Sequence, residues 1–251
     1  MRLHRFVVGG IGVIAGVLCK SAAIAEPFSA TFSLTSDYRF RGISQNDRNF
    51  TPQAEADWNG PDGWSAGIFF SKVNFNDDAG TSLEIDLFGD KHWQLDDASI
   101  TATAYYYSYP DHELHPGAFR YSTLEGELQY VRTWDSFSLT GTLAASPEYF
   151  GNHGVAWYAA IGSSYAILSS LTASATIGRQ SVHTWDRTGG DGFPYTHWDA
   201  GLSYTYADLT LDARYVGTSL SAAECLRTSG GANWCGAGVI ATASYAIGND
   251  R

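Results

Sequence analysis

Between residues 28 and 41 apolar and polar side chains alternate almost without a break. Phe28, Ala30, Phe32, Leu34, Tyr38 and Phe40 share one parity, with Ser36 the exception. Ser29, Thr31, Ser33, Thr35, Asp37, Arg39 and Arg41 share the other. A period of two makes a β-strand with one apolar and one polar face. The run is longer than the usual strand of a water-soluble domain. The same rhythm returns about a dozen times, with short and long connections taking turns. A closed membrane barrel has these properties, because its strands alternate lipid-facing and lumen-facing residues between short turns and long loops. The same alternation dilutes apolar residues, so a mean hydropathy of −0.16 does not exclude a membrane.

The strand windows are 28–41, 51–59, 64–73, 82–90, 99–109, 121–131, 136–145, 155–165, 171–180, 196–206, 208–217 and 237–247. Tight turns are expected at 59–63, 132–135, 167–170 and 206–208. Longer loops are expected at 44–50, 74–81, 110–120, 146–154, 181–195 and 218–236. The 90–98 stretch is long for a turn. The expected fold is all-β: an antiparallel transmembrane β-barrel of about 12 strands with short periplasmic turns and long external loops. Tryptophan supports two interfacial girdles. Trp58, Trp64, Trp93 and Trp134 fall near the turns, and Trp157, Trp185, Trp198 and Trp234 near the external ends. The competing architecture is a secreted β-sandwich, which has no reason to alternate loop length.

Residues 1–25 read as an export signal. Arg2 and Arg5 precede an apolar stretch over 6–18, too short to span a bilayer, and Ala23-Ile24-Ala25 is a cleavage site. Leu18 before Cys19 argues against lipidation. The mature barrel domain is then 26–251. Removing Arg2, Arg5 and Lys20 from the 15 basic residues leaves 12 against 26 acidic ones, a net charge of −14. Nucleic acid, which requires basic patches, is excluded as a partner.

Inside a bilayer the charged parity must face inward. The pore-lining candidates are Asp37, Arg39, Arg41, Glu55, Asp57, Glu84, Asp86, Glu125, Glu127, Asp199, Asp212 and Arg214. The arginines lie on the first and eleventh windows, which adjoin once a barrel closes. The acid pairs lie on the second, fourth and sixth. The expectation is a basic wall facing an acidic wall across a pore, with the three arginines side by side. The alternative is that these groups pair and fill a narrow lumen, since twelve strands lie between the filled eight and the open sixteen.

Cys225 and Cys235 survive cleavage, and an even count in an exported chain predicts a disulfide. Closing so short a loop stabilises by roughly 2–3 kcal/mol. No histidine lies near them in sequence, so no metal is implied. No G-x-S-x-G elbow appears, and Gly162-Ser163-Ser164 has no neighbouring base in sequence. His112, His115, His153 and His183 fall in loops. Asp77-Asp78 and Asp111-His112-Glu113 lack EF-hand spacing. No catalytic residue and no cofactor is assigned.

The segment Ser36-Asp37-Tyr38-Arg39-Phe40-Arg41-Gly42-Ile43-Ser44-Gln45 resembles the opening of the proteobacterial Gcw_chp, or TorF, family of porins. The length and strand rhythm of the whole mature chain resemble that family too. The resemblance implies an outer-membrane porin passing small hydrophilic solutes, with outer-membrane lipids and the barrel assembly machinery as partners. It carries over no substrate and no catalytic residue. The opposed classes are a non-conducting structural or adhesive barrel and an outer-membrane lipid-modifying enzyme.

Overall fold

The computed structural model describes residues 2–4, 16–18, 27–77, 79–113, 120–151, 153–183 and 194–248. Apart from the paired segments Arg2–His4 and Gly16–Leu18, the export signal and its cleavage after Ala25 lie outside the described residues, as do Trp185 and His115.

Twelve antiparallel strands pair in chain order, and the last pairs with the first, closing a barrel. They are β1 (Phe28–Thr35), β2 (Thr51–Asn59), β3 (Trp64–Lys72), β4 (Leu83–Leu95), β5 (Ala98–Ser108) and β6 (Thr123–Trp134), followed by β7 (Phe137–Ser146), β8 (Ala156–Leu168), β9 (Leu171–Val182), β10 (Tyr195–Tyr206), β11 (Leu209–Thr218) and β12 (Gly238–Ile247). The closing ladder runs from Thr242↔Thr35 to Ile247↔Ala30.

The outside is apolar. Phe28, Phe32 and Leu34 on β1, Leu124 and Leu128 on β6, Ile161 and Tyr165 on β8 and Val239 and Tyr245 on β12 are all exposed. Water would penalise so continuous an apolar belt, whereas hydrocarbon covers it at no cost. At the turn end, β4 continues through the 90–98 stretch to Leu95, and the turn is only Asp96-Asp97. Asp62, Asp96, Asp135 and Ala207 hold positive φ in these turns. Asp reaches that conformation more readily than most residues because its short side chain bonds locally. Lys91 lies over the Trp64 and Trp93 rings, and Arg132 over Trp134.

Two sequence expectations are corrected. The first strand leaves the wall after Thr35, at the parity break marked by Ser36, and residues 36–50 fold inward as loop L1. Arg39–Phe40 and Ile43–Ser44 pair there as a miniature hairpin across Arg41 (φ 47°) and Gly42 (φ 86°). Two positive φ values in sequence suit a tight hairpin, and Gly accepts one freely. Trp234 does not join a girdle. It is 2 % exposed, and its indole N–H donates to Asp47 Oδ1 at 2.6 Å.

Face assignment has a direct test. Ile161→Arg, near the middle of β8 on the outer face, should destabilise the barrel by about 2–4 kcal/mol. Thr140→Arg, on the inner face of β7, should cost far less. Urea unfolding of protein refolded into liposomes measures both.

Candidate functional site

The lumen is occupied at its loop end. On β1 the inward residues Ser29, Thr31 and Ser33 are half-buried, while Thr35 is fully buried. On β6 Thr123 and Glu125 are buried, while Glu127 and Gln129 are half-buried. The gradient follows L1, in which Asp37, Tyr38, Arg39, Arg41, Ser44 and Asn46 are all buried. L1 is a plug.

Arg41 fixes the plug to the barrel. Its Nη2 donates to Glu125 Oε1 at 2.6 Å and its Nη1 to Oε2 at 2.9 Å. Nη1 also donates to Gln180 Oε1 on β9 at 2.7 Å. The guanidinium carbon lies 3.9 Å from the Tyr158 ring centroid on β8. Planar, bidentate pairing with stacking is what arginine does and lysine cannot. Aromatic contacts extend the seat: Tyr38 meets Phe69 at 6.1 Å and Phe40 meets Tyr107 at 5.7 Å.

A second loop clasps the first. Residues 219–237 form L6, which carries helix α1 (Ala222–Ser229). Ser221 and Glu224 make a reciprocal capping box at its start. The Ser221 hydroxyl and N–H hold the Glu224 carboxyl below its usual range. Gly230 ends the helix in the left-handed conformation. Cys225 and Cys235 are disulfide-bonded. L6 is therefore ordered by a capped helix as well as by its bond. Ser44 N–H donates to the Trp234 carbonyl at 3.0 Å, and Arg39 Nη1 to the Gly236 carbonyl at 2.8 Å. Arg48 donates to the Gly236 and Ala237 carbonyls. Other loops complete the cap: Phe75 contacts Tyr109, Tyr121 and Phe150 at 5.3–5.6 Å between ring centroids. Burial pushes the Tyr149 phenol up to about 12, so it stays neutral in the cap.

The predicted residues divide into separate groups. Asp37 and Arg39 pair within L1 at 2.7 Å. Arg41 takes Glu125. Arg214 on β11 pairs with Asp199 at 2.5 Å and Asp212 at 2.8 Å. The three arginines share no partner, and each is matched by its own acids. Asp37, Arg39 and Arg41 belong to the plug and not to a barrel strand. Glu55, Asp57, Glu84, Asp86 and Glu127 sit on the inward parity of β2, β4 and β6. Glu84 accepts from the Tyr109 hydroxyl at 2.7 Å. Asp90, also inward, accepts from Ser65 and Thr103. Sequence reading missed Asp90, although it shares the parity of Glu84 and Asp86, because its stretch looked like a turn. It also missed Gln180, Tyr158 and His197. Tyr158 OH and His197 Nε2 lie 2.8 Å apart beside Arg41. Their inward parity was available, but nothing local points to the guanidinium they surround.

Arg41→Met strands Glu125 as a buried, uncompensated acid and should cost about 3–5 kcal/mol in urea unfolding. Adding Glu125→Leu should recover most of that loss. Reduction of Cys225–Cys235 should speed proteolysis within 219–237 and leave the boiled-versus-unboiled gel shift unchanged, because strand ladders hold the barrel. Loss of the shift on reduction would show that the bond staples the wall.

The fold is that of solved porins. The chain aligns with the KdgM porin at TM-score 0.55 and 8 % identity, covering 87 % of this chain and 98 % of that one. A structure of the KdgM porin in complex with disordered oligogalacturonate aligns at 0.53 and 8 %, covering 87 % and 96 %. The NanC porin aligns at 0.55 and 9 %, covering 86 % and 97 %. No curated protein matches the chain in sequence. The profile of one bacterial family, described as of unknown function, matches residues 20–240, and the chain belongs to that family, Gcw_chp.

Proposed function

We propose that this chain is an outer-membrane porin that gives small hydrophilic solutes passive passage, gated by its own L1 plug. One observation carries the reading: a closed barrel wears an apolar belt outside and keeps charged side chains inside. An inner face that only had to fill space would be cheaper in apolar residues, because buried charge pays a desolvation penalty. Half-buried Ser29, Thr31, Glu55, Glu127 and Gln129 line the turn half as a polar vestibule, and the plug closes the loop half. Export by residues 1–25, insertion by the barrel assembly machinery and a shell of outer-membrane lipids belong to the same proposal. It assigns no catalytic residue.

A second reading is favoured by the plug itself. Arg39 and Arg41 are matched by Asp37 and Glu125, as they would be in a barrel that never opens.

Planar-bilayer recording separates the two. Wild type should show discrete but infrequent steps. Replacing residues 37–48 by a short glycine-containing turn should make them frequent and larger. Silence of both proteins, with the gel shift intact, would establish the non-conducting barrel. Silence with lipid hydrolysis would establish an enzyme.

A further inference from the structure

The two halves of the lumen wall differ in chemistry. Across β2–β6 the inner face carries acids interleaved with aromatic rings. One row reads Glu55, Phe69, Asp86 and Tyr107 across four paired strands, and the adjacent row continues Phe88 to Tyr105. Lys72, Lys91 and Arg132 on these strands point outward, so the inner parity of β2–β6 holds no lysine or arginine. Among the described residues, the guanidinium that reaches this wall is that of Arg41, and it is taken by Glu125. Among the described residues Glu55, Glu84, Asp86 and Glu127 make no ion pair.

Two carboxylate oxygens there are orphans. Asp86 Oδ1 and Glu84 Oε2 are buried without a hydrogen-bond partner, and each residue is 3 % exposed. Glu55 lies on the same cross-strand row as Asp86, one strand beyond Phe69, and is half-buried at the vestibule. A buried acceptor with no donor costs roughly 1–3 kcal/mol, more when charged. Two such acceptors, two residues apart on β4, gain from a ligand that brings donors and positive charge. Among the described residues no three His, Cys, Asp or Glu groups converge as metal ligands. A ligand that spreads its contacts along a row suits this wall, where acids and rings alternate from strand to strand. Rings set beside carboxylates point the same way, because an ammonium group gains from both an aromatic face and an acid.

We propose that the β2–β6 wall is a binding site for small organic cations carrying ammonium groups, with Glu55 and Asp86 taking the charge and Phe69 and Phe88 the alkyl stem. The solute class rests on the porin reading, whereas the binding site does not. The site is opposite in sign to what an acidic oligosaccharide such as oligogalacturonate needs.

The experiment uses the refolded full barrel in nanodiscs, titrated calorimetrically with putrescine and, separately, with succinate. Putrescine should bind and succinate should not. Glu55→Gln with Asp86→Asn should weaken putrescine by about tenfold or more while keeping the gel shift. Unchanged affinity in that variant, no putrescine binding, or preferred binding of succinate overturns the site. If the variant loses its gel shift, the wild-type comparison of the two ligands decides alone. Reversal potentials in asymmetric KCl separate the two proposals. Cation selectivity supports both. Anion selectivity sinks the cation class and leaves a porin. A silent bilayer with putrescine still bound removes the porin and leaves the site.

Discussion

A peptide group left unpaired in hydrocarbon costs several kcal/mol, and the ladder from Thr242↔Thr35 to Ile247↔Ala30 is where the sheet removes that cost. Closure by β12 and β1 leaves no edge. Much else follows from it. Strands that meet in chain order need reversals at one end so tight that Asp96, Asp135 and Ala207 take positive φ. Side chains are sorted by parity into a lipid face and a lumen face with no third option. Some of the charges on the lumen face then find partners inside the wall. Arg214 finds them on its own and the adjacent strand, in Asp212 and Asp199. Glu125 finds its partner only because the chain folds back into the barrel to supply Arg41.

Parity made the barrel legible. It assigns a face to Phe32 or Leu128 from sequence alone, because the side-chain period of a strand admits no drift. It failed at residues 36–50 for a physical reason. Alternation continues through Tyr38 and Phe40, yet their rings pack on Phe69 and Tyr107 inside the barrel rather than on lipid. The signals that could have arbitrated were the break at Ser36 and the Arg41-Gly42 pair, which suits a hairpin. Trp234 shows the same limit. Indole prefers an interface, but Asp47 and the L6 helix offered it a better one. Partners were the least legible quantity. Arg41 and Gln180 are 139 residues apart in sequence, and no local pattern encodes such a pairing.

The charge balance is lopsided in a way that composition could not reveal. A net acidic chain could spread its acids evenly around a lumen. Here the arginines neutralise the plug, the Arg214 triad and Glu125, and the remaining acids are concentrated on β2, β4 and β6 among Phe69, Phe88, Tyr105 and Tyr107. The far wall presents hydroxyls such as Ser164, Ser174, Thr176 and Ser244. In the proposed porin, a passage between two such walls would be polar on one side and acidic on the other, and would orient a solute as well as select its charge.

The plug is spliced into the chain beside the seam, and this makes its docking depend on the rest of the wall. Arg41 leaves the first strand early in the chain, but its anchors arrive with β6, β8 and β9, and the L6 residues that clasp it arrive only just before β12. The seat does not exist until nearly the whole wall has been laid down. A wall lacking those strands leaves Glu125 without its guanidinium and L1 without its seat. A docked L1 therefore certifies a finished barrel, and an interrupted assembly announces itself as a loose, protease-accessible arginine segment at its N-terminal edge.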